Sequence, residues 1–300
     1  MICDVELTNY FGQNPKYPST KFEVTNLSDI GVYAQDILIG SIKTDIQFSK
    51  TLGSNKRYLT SSSDEIRQIK IPFYTKEKYR ETMHLTRDSL YGLLSNGIYY
   101  LREKRDGEYC SGKRYQVILK DIIIKEQYQK TLLGEIIFES AENPYAISLK
   151  TSRDIDEEGI VANDCWSYGM GLETVSDDEL IYNVKNLKVN STFDIYNLGN
   201  VSINPFEDFL WLVVKNINYL DLNRDRYLIR IKNKSNNTAL DFETNTPLTT
   251  IIINGVDLGG KRVTATEFLE LSPGKNELEV THLLGIDKFD IIFEFNFLYR

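Results

Sequence analysis

At 300 residues, with 41% hydrophobic and 26% charged side chains, the chain has an ordinary globular composition and room for two domains. Its net charge of −8 is unevenly placed: residues 1–150 carry 21 basic and 19 acidic side chains, and the remainder 14 and 24. The acidic second half excludes nucleic acid as an expected partner, because it would repel phosphates; the asymmetry suits either domains with different neighbours or plain solvation.

The three cysteines, Cys3, Cys110 and Cys165, are odd in number and far apart, with no C-x-x-C pair. No disulfide framework is expected, which fits synthesis in a reducing cytoplasm. The first residues, Met1 to Asp4, lack a basic stretch followed by an apolar core, so no signal peptide is expected. No apolar run approaches the ~20 residues of a membrane span. Nineteen Tyr and 14 Phe, beside two Trp and two His, favour sheet over helix.

Residues 1–60 read as strands and turns. Phe22-Glu23-Val24-Thr25 and Val32-Tyr33-Ala34 are short strands, and Ile37-Leu38-Ile39 ends in a turn at Gly40. Ile42 to Phe48 alternates in part. Glu65 to Phe73 alternates better: Ile66, Ile69, Ile71 and Phe73 are apolar, with Arg67, Gln68 and Lys70 between, as in a strand with one buried face. Residues 76–95 are predicted helical from the spacing of Tyr79, Met83, Leu90, Leu93 and Leu94. Thr86 could cap a second segment with Asp88 in its first turn, so one bent helix and two short ones both fit; Asn96-Gly97 is the stop. Ile98 to Leu101, Arg114 to Lys120, Ile122 to Ile124 and Glu135 to Ser140 form an antiparallel meander, with Arg105 to Lys113 turn-rich and Asn143-Pro144 breaking the pattern.

Residues 150–190 change character. Asp154 to Gly159 is acidic and Gly169-Met170-Gly171 is loose, so a linker or long loop is expected. Beyond Thr192 come short strands: Phe193 to Tyr196, Trp211 to Val214, Tyr227 to Ile231, Thr250 to Ile253, Phe268-Leu269 and Asp290 to Phe297. Turns at Asn197-Leu198-Gly199, Asn254-Gly255 and Pro273-Gly274 separate them, which indicates a β-sandwich or barrel.

Few motifs point to chemistry. Gly255 to Lys261 has phosphate-loop spacing, but Arg262 stands where Ser or Thr should hold magnesium, and a hairpin fits the flanking β runs. Asp221 to Asp225 begins like a calcium loop, yet Arg226 and Lys232 occupy the Gly and closing Glu positions. Asp154 to Gly159 has the Gly but ends on Cys165. His84 and His282 lack a nucleophile elbow or zinc spacing, so both read as packing or surface residues. Carboxylate pairs abound, and nothing selects one for glycoside hydrolysis. No catalytic residue, cofactor or metal is expected.

An ordered set of short motifs carries a resemblance. Ile69-Lys70-Ile71-Pro72-Phe73, Lys78-Tyr79-Arg80 and Asp88 to Leu94 are followed by Tyr99 to Glu103, Gly112-Lys113-Arg114-Tyr115 and Gly134 to Glu139. Together they resemble the N-terminal domain of siphophage distal tail proteins. Asn197 to Val201 with Pro205, and Leu271 to Leu278, resemble turns of that family's C-terminal galectin-like domain. The resemblance implies a mainly β protein in two domains. Residues 1–148 would be a ring-forming β-barrel or sheet domain with one or two helices. Residues 149–300 would be a galectin-like β-sandwich entered through residues 150–190.

The implied role is the structural hub of a bacteriophage tail tip, not an enzyme. A homo-hexameric ring would join the tail tube to tail-tip hub and receptor-binding or baseplate proteins in the virion, after synthesis in the host cytoplasm. Tyr91, Tyr99, Tyr100 and Tyr115 are candidate ring-interface aromatics, each also explicable as core or edge packing. The alternative is a cell-wall saccharide-binding module. Trp211 lies in an apolar strand, so Trp166 beside Tyr168 is the candidate sugar platform.

Overall fold

A computed structural model describes residues 3–9, 24–51, 53, 55–77, 82–95, 97–105, 110–128, 130–160, 165–167, 169–171, 175–176, 179–254, 257–258 and 263–300. Two compact units divide the chain: Met1–Ile147 with Arg300, and Ser148–Tyr299.

The first unit contains β1 (Cys3–Asn9), β2 (Val24–Asn26), a 3-10 turn (Leu27–Ile30), β3 (Val32–Ala34), β4 (Leu38–Lys50) and β5 (Arg57–Thr75). Then come α1 (Thr82–Leu94), β6 (Ile98–Arg105), β7 (Cys110–Gln127) and β8 (Leu132–Ser140). Six strands close on themselves, each antiparallel to the next: β1 on β6, β6 on β7, β7 on β8, β8 on β5, β5 on β3, and β3 back on β1 through Cys3 and Ala34. Closure removes the edges that an open sheet exposes. Period-2 side chains fill the inside. On β5 the buried row is Arg67, Ile69, Ile71, Phe73 and Thr75. Val5, Leu7, Leu101, Val117, Ile136 and Phe138 meet it in one core. Each fully buried aliphatic or aromatic side chain contributes roughly 1.5–3 kcal/mol. A Cβ on Gly134 would lie 2.7 Å from both the Phe73 ring and the Ile123 carbonyl oxygen, so β8 approaches its neighbours closely only because this residue is glycine.

Three expectations change here. Gly40 is not a turn: β4 runs through it, and a Cβ there would stand 2.8 Å from the Gln68 carbonyl oxygen, so glycine permits close approach to β5. Lys76 and Glu77 lie outside the helix. Thr86 caps nothing; from inside a single helix its hydroxyl donates to Glu77 Oε1, while Thr82 donates to Glu77 Oε2 at 2.8 Å. The glutamate thus sits where the helix dipole favours a negative charge. Leu90 and Leu94 enter the barrel core. Phe22, Glu23, Lys78, Tyr79, Arg80 and Asn96 lie outside the described residues.

After β9 (Ala146–Thr151), the second unit is a pair of sheets. In one, β19 (Ile286–Tyr299) has β12 (Leu210–Tyr219) on one side and β10 (Asn183–Leu187) on the other; β15 (Thr250–Asn254) and β16 (Asp257–Leu258) follow β12. The other sheet runs in the order β11 (Thr192–Asn197), β18 (Gly274–Leu284), β13 (Tyr227–Asn233), β14 (Ala239–Thr244), β17 (Val263–Glu267). Aromatic rings join the sheets: Phe193 meets Phe293 at 6.0 Å, and Tyr219 meets Tyr227 edge-on at 4.8 Å. Phe289, Ile291, Phe293, Phe295 and Phe297 of β19 are fully buried.

The motif from Leu271 to Leu278 ties this unit together. Buried Asn276 donates to the Ser272 carbonyl (2.7 Å) and the Gly274 carbonyl (3.1 Å). Its Oδ1 accepts from the Ser272 N–H and from Asn233 Nδ2, both at 2.9 Å. The acidic run after residue 150 is partly helical: α2 (Ser152–Glu158) starts where the Thr151 N–H donates to Asp154 Oδ2 at 2.7 Å, and ends at Gly159, φ +71°. Phe268 and Leu269 follow β17 without belonging to a strand, whereas β10, β14 and β18 are strands that the pattern does not announce.

Candidate functional site

The most unusual surface is a two-stranded ribbon. Residues Gln68–Tyr74 of β5 pair with β8 in the barrel, but residues 57–64 pair only with β4, register running from Thr44↔Asp64 to Lys50↔Arg57. Seven residue pairs reach about 20 Å. In the ribbon Ile46 stands opposite Ser62 and Phe48 opposite Leu59, and β-branched and aromatic side chains such as Ile46 and Phe48 suit extended backbone. Ile46, Phe48 and Leu59 lie on one face and are 50%, 55% and 61% exposed; Tyr58 on the other face is 53% exposed. At the tip, Lys50 stands opposite Arg57, with Lys56 beside them. Like charges directly across a ribbon are unfavourable in isolation.

The four candidate interface tyrosines separate. Tyr91 is exposed on α1, as is Leu85, which is 66% exposed. Tyr99 is 2% exposed, and its hydroxyl donates to the Leu93 carbonyl at 2.6 Å, fastening α1 to β6. Tyr100 is buried beneath the Arg114 guanidinium, 4.1 Å from the ring centroid. Tyr115 is half-buried below Arg67. Tyr99 and Tyr100 therefore spend their rings inside the unit.

Trp166, the candidate sugar platform, is 5% exposed and packs 6.1 Å from Phe297, ring centre to ring centre. Tyr168 lies outside the described residues. Trp211 is half-buried on the opposite face of β12 from Leu210, Leu212 and Val214.

The remaining motifs resolve as local structure. Asn254 pairs with Asp257 across the β15–β16 hairpin, and the next described element is β17; Gly255, Val256 and Gly259 to Arg262 lie outside the described residues. Asp221 makes a turn, its Oδ1 accepting the Asn223 N–H at 2.9 Å and its carbonyl the Tyr227 hydroxyl at 2.7 Å. Among the described residues no group of His, Cys, Asp and Glu is placed to hold a metal. His84 is exposed on α1, and His282 pairs with Arg230 along β18 and β13.

A closed antiparallel barrel carrying a helix and a ribbon, together with an antiparallel sandwich, defines a mainly β scaffold. That fold is shared with the Dit protein of phage SPP1, described as a hub adsorption apparatus paradigm in phages infecting Gram-positive bacteria: the TM-score is 0.59 at 11% identity, over 91% of this chain and 96% of that one. Two structures of the phage p2 baseplate in its activated conformation, with Sr and with Ca, align at TM-scores of 0.42 and 0.41 and 16% and 15% identity, each over 98% of both chains. No family model and no curated protein matches the sequence.

Proposed function

We propose that the chain is a hub of a bacteriophage tail tip, a structural protein rather than an enzyme. Six copies form a ring that joins the tail tube to tail-tip and receptor-binding or baseplate proteins in the virion. The observation that carries this reading is the likeness to the SPP1 hub over 91% of the chain. The ribbon supports it physically. An isolated two-stranded ribbon is marginally stable in water, and one that exposes Ile46, Phe48 and Leu59 gains when a neighbour covers it. Its basic tip suits an acidic surface such as the second half of the chain supplies. Tyr91 and Leu85 on α1 provide a second apolar contact on the same unit. The second unit, read as galectin-like, presents the outward surface for docking proteins.

Light scattering and negative-stain microscopy of the purified chain, alone and with its tail partners, test this reading. Six-fold rings are expected. A chain that remains monomeric at every concentration, with and without the partners, would overturn it.

A further inference from the structure

One end of the barrel holds a cation that makes no direct ion pair among the described residues, although the charge of Asp64 reaches it. Arg67 continues the inward row of β5, in phase with Ile69, Ile71 and Phe73, and is 6% exposed. Its backbone N–H donates to Ser140 Oγ at 3.0 Å, but its Nε has no hydrogen-bond partner. The guanidinium lies 5.5 Å from the centre of the Tyr115 ring.

The nearest carboxylate is committed elsewhere. Asp64 accepts from the Tyr145 hydroxyl at 2.9 Å, the Thr44 hydroxyl at 3.2 Å and Arg300 Nη2 at 2.5 Å. A further cation lies near. Burial lowers the pKa of Lys113, and the nearby charge of Arg67 lowers it further. Arg67 lines a pocket of about 410 Å³ with Ser41, Tyr115 and Arg300, beside the close approach of Gly40 to β5.

A buried guanidinium without a contacting counter-ion is costly, and the charge of Asp64 offsets the desolvation of Arg67 only in part. Its planar fork matches an oxyanion's paired acceptors, and a second arginine at the rim adds to the attraction. We propose that this pocket is an oxyanion site, with Arg67 as the principal ligand, Arg300 as a rim cation and Tyr115 as the floor. Its occupant is a carboxylate or phosphate group, supplied either by a side chain of a second copy or by a free anion. The site stands independently of the ring.

The test uses the full chain, inorganic phosphate as probe, and chloride to hold ionic strength constant at pH 7.5. Phosphate is expected to raise the wild-type Tm saturably, as a ligand of the native state does. Arg67→Met keeps the aliphatic stem and is expected to lose the saturable rise. Arg67→Lys, which keeps the charge without the fork, is expected to bind phosphate about tenfold or more weakly and serves if the Met variant does not fold. Sedimentation separates the sources. If a second copy supplies the carboxylate, phosphate dissociates wild-type assemblies and R67M sediments as a smaller species. If the anion is free, phosphate binds without changing sedimentation. Either result supports the site. Equal phosphate response in wild type and both variants, or no response in any of them, overturns it.

Discussion

Phe48 and Leu59 face each other across the β4–β5 ribbon, and both are more than half exposed. A cross-strand apolar pair normally closes one side of a core; here it is presented outward, where a neighbouring surface can bury it. Replacing both with serine should weaken self-association by about 1–3 kcal/mol, while changing the stability of the isolated chain by less than about 0.5 kcal/mol. Concentration-dependent light scattering reads the first quantity and urea unfolding the second. Unchanged association would remove the ribbon from the interface.

Asn276 should be among the costliest polar side chains to truncate. Its amide makes four hydrogen bonds and is fully buried, so alanine leaves the Ser272 N–H and Asn233 Nδ2 without their acceptor. A loss of about 2–4 kcal/mol is expected for N276A, seen as a lower urea midpoint at constant slope.

Two carboxylates on β19 should respond to pH in opposite directions. Burial pushes the Asp290 pKa upward, but hydrogen bonds from Asn216 Nδ2 (2.7 Å) and the Asn186 N–H (2.8 Å) outweigh it and hold the pKa below the usual 3.8. Its contribution is present above the unfolded pKa and is lost as pH falls through the lowered folded value. For Glu294, burial raises the pKa above the usual 4.5, with Arg153 only partly opposing. That group favours the native state below the unfolded pKa, and the advantage is lost as pH rises through the raised folded value. At pH 7, therefore, D290N should destabilise and E294Q should stabilise. Both differences should shrink once the wild-type carboxyls are protonated in both states. Urea midpoints across the acid range check both signs.

Cys3 should resist thiol reagents while the barrel is folded. Burial pushes its pKa up to about 11, so at pH 8 it is a thiol in the core rather than a thiolate. Peptide mapping after N-ethylmaleimide treatment is expected to find half-buried Cys165 modified and Cys3 unmodified, with both modified in denaturant.

The sequence made some of this legible. Alternation at Ile69, Ile71 and Phe73 announced a half-buried strand, and β19 could be read in part from Asp290 to Phe297. Gly40 misled because glycine signals a turn and a close backbone approach equally well, and only the partner strand distinguishes them. The acidic stretch at Asp154 hid a helix, since its start depends on Asp154 folding back onto Thr151. The ribbon was visible only as partial alternation from Ile42 to Phe48; nothing local shows that a strand will outrun the barrel. Trp166 looked like a platform because composition cannot reveal that Phe297 covers it. Arg67 was passed over as a polar residue between apolar ones, although it shares parity with Ile69, Ile71 and Phe73. That parity was the available signal; the lack of a counter-ion was not.

Among the described residues, the barrel's six-strand circuit is completed by one pairing, Cys3 with Ala34, whereas β1 meets β6 over seven residue pairs. A loop held shut by one link opens there first, at little cost to the remaining joins. The slow labelling of one native thiol therefore keeps time for the whole enclosure, because reagent reaches that sulfur only when the latch lets go.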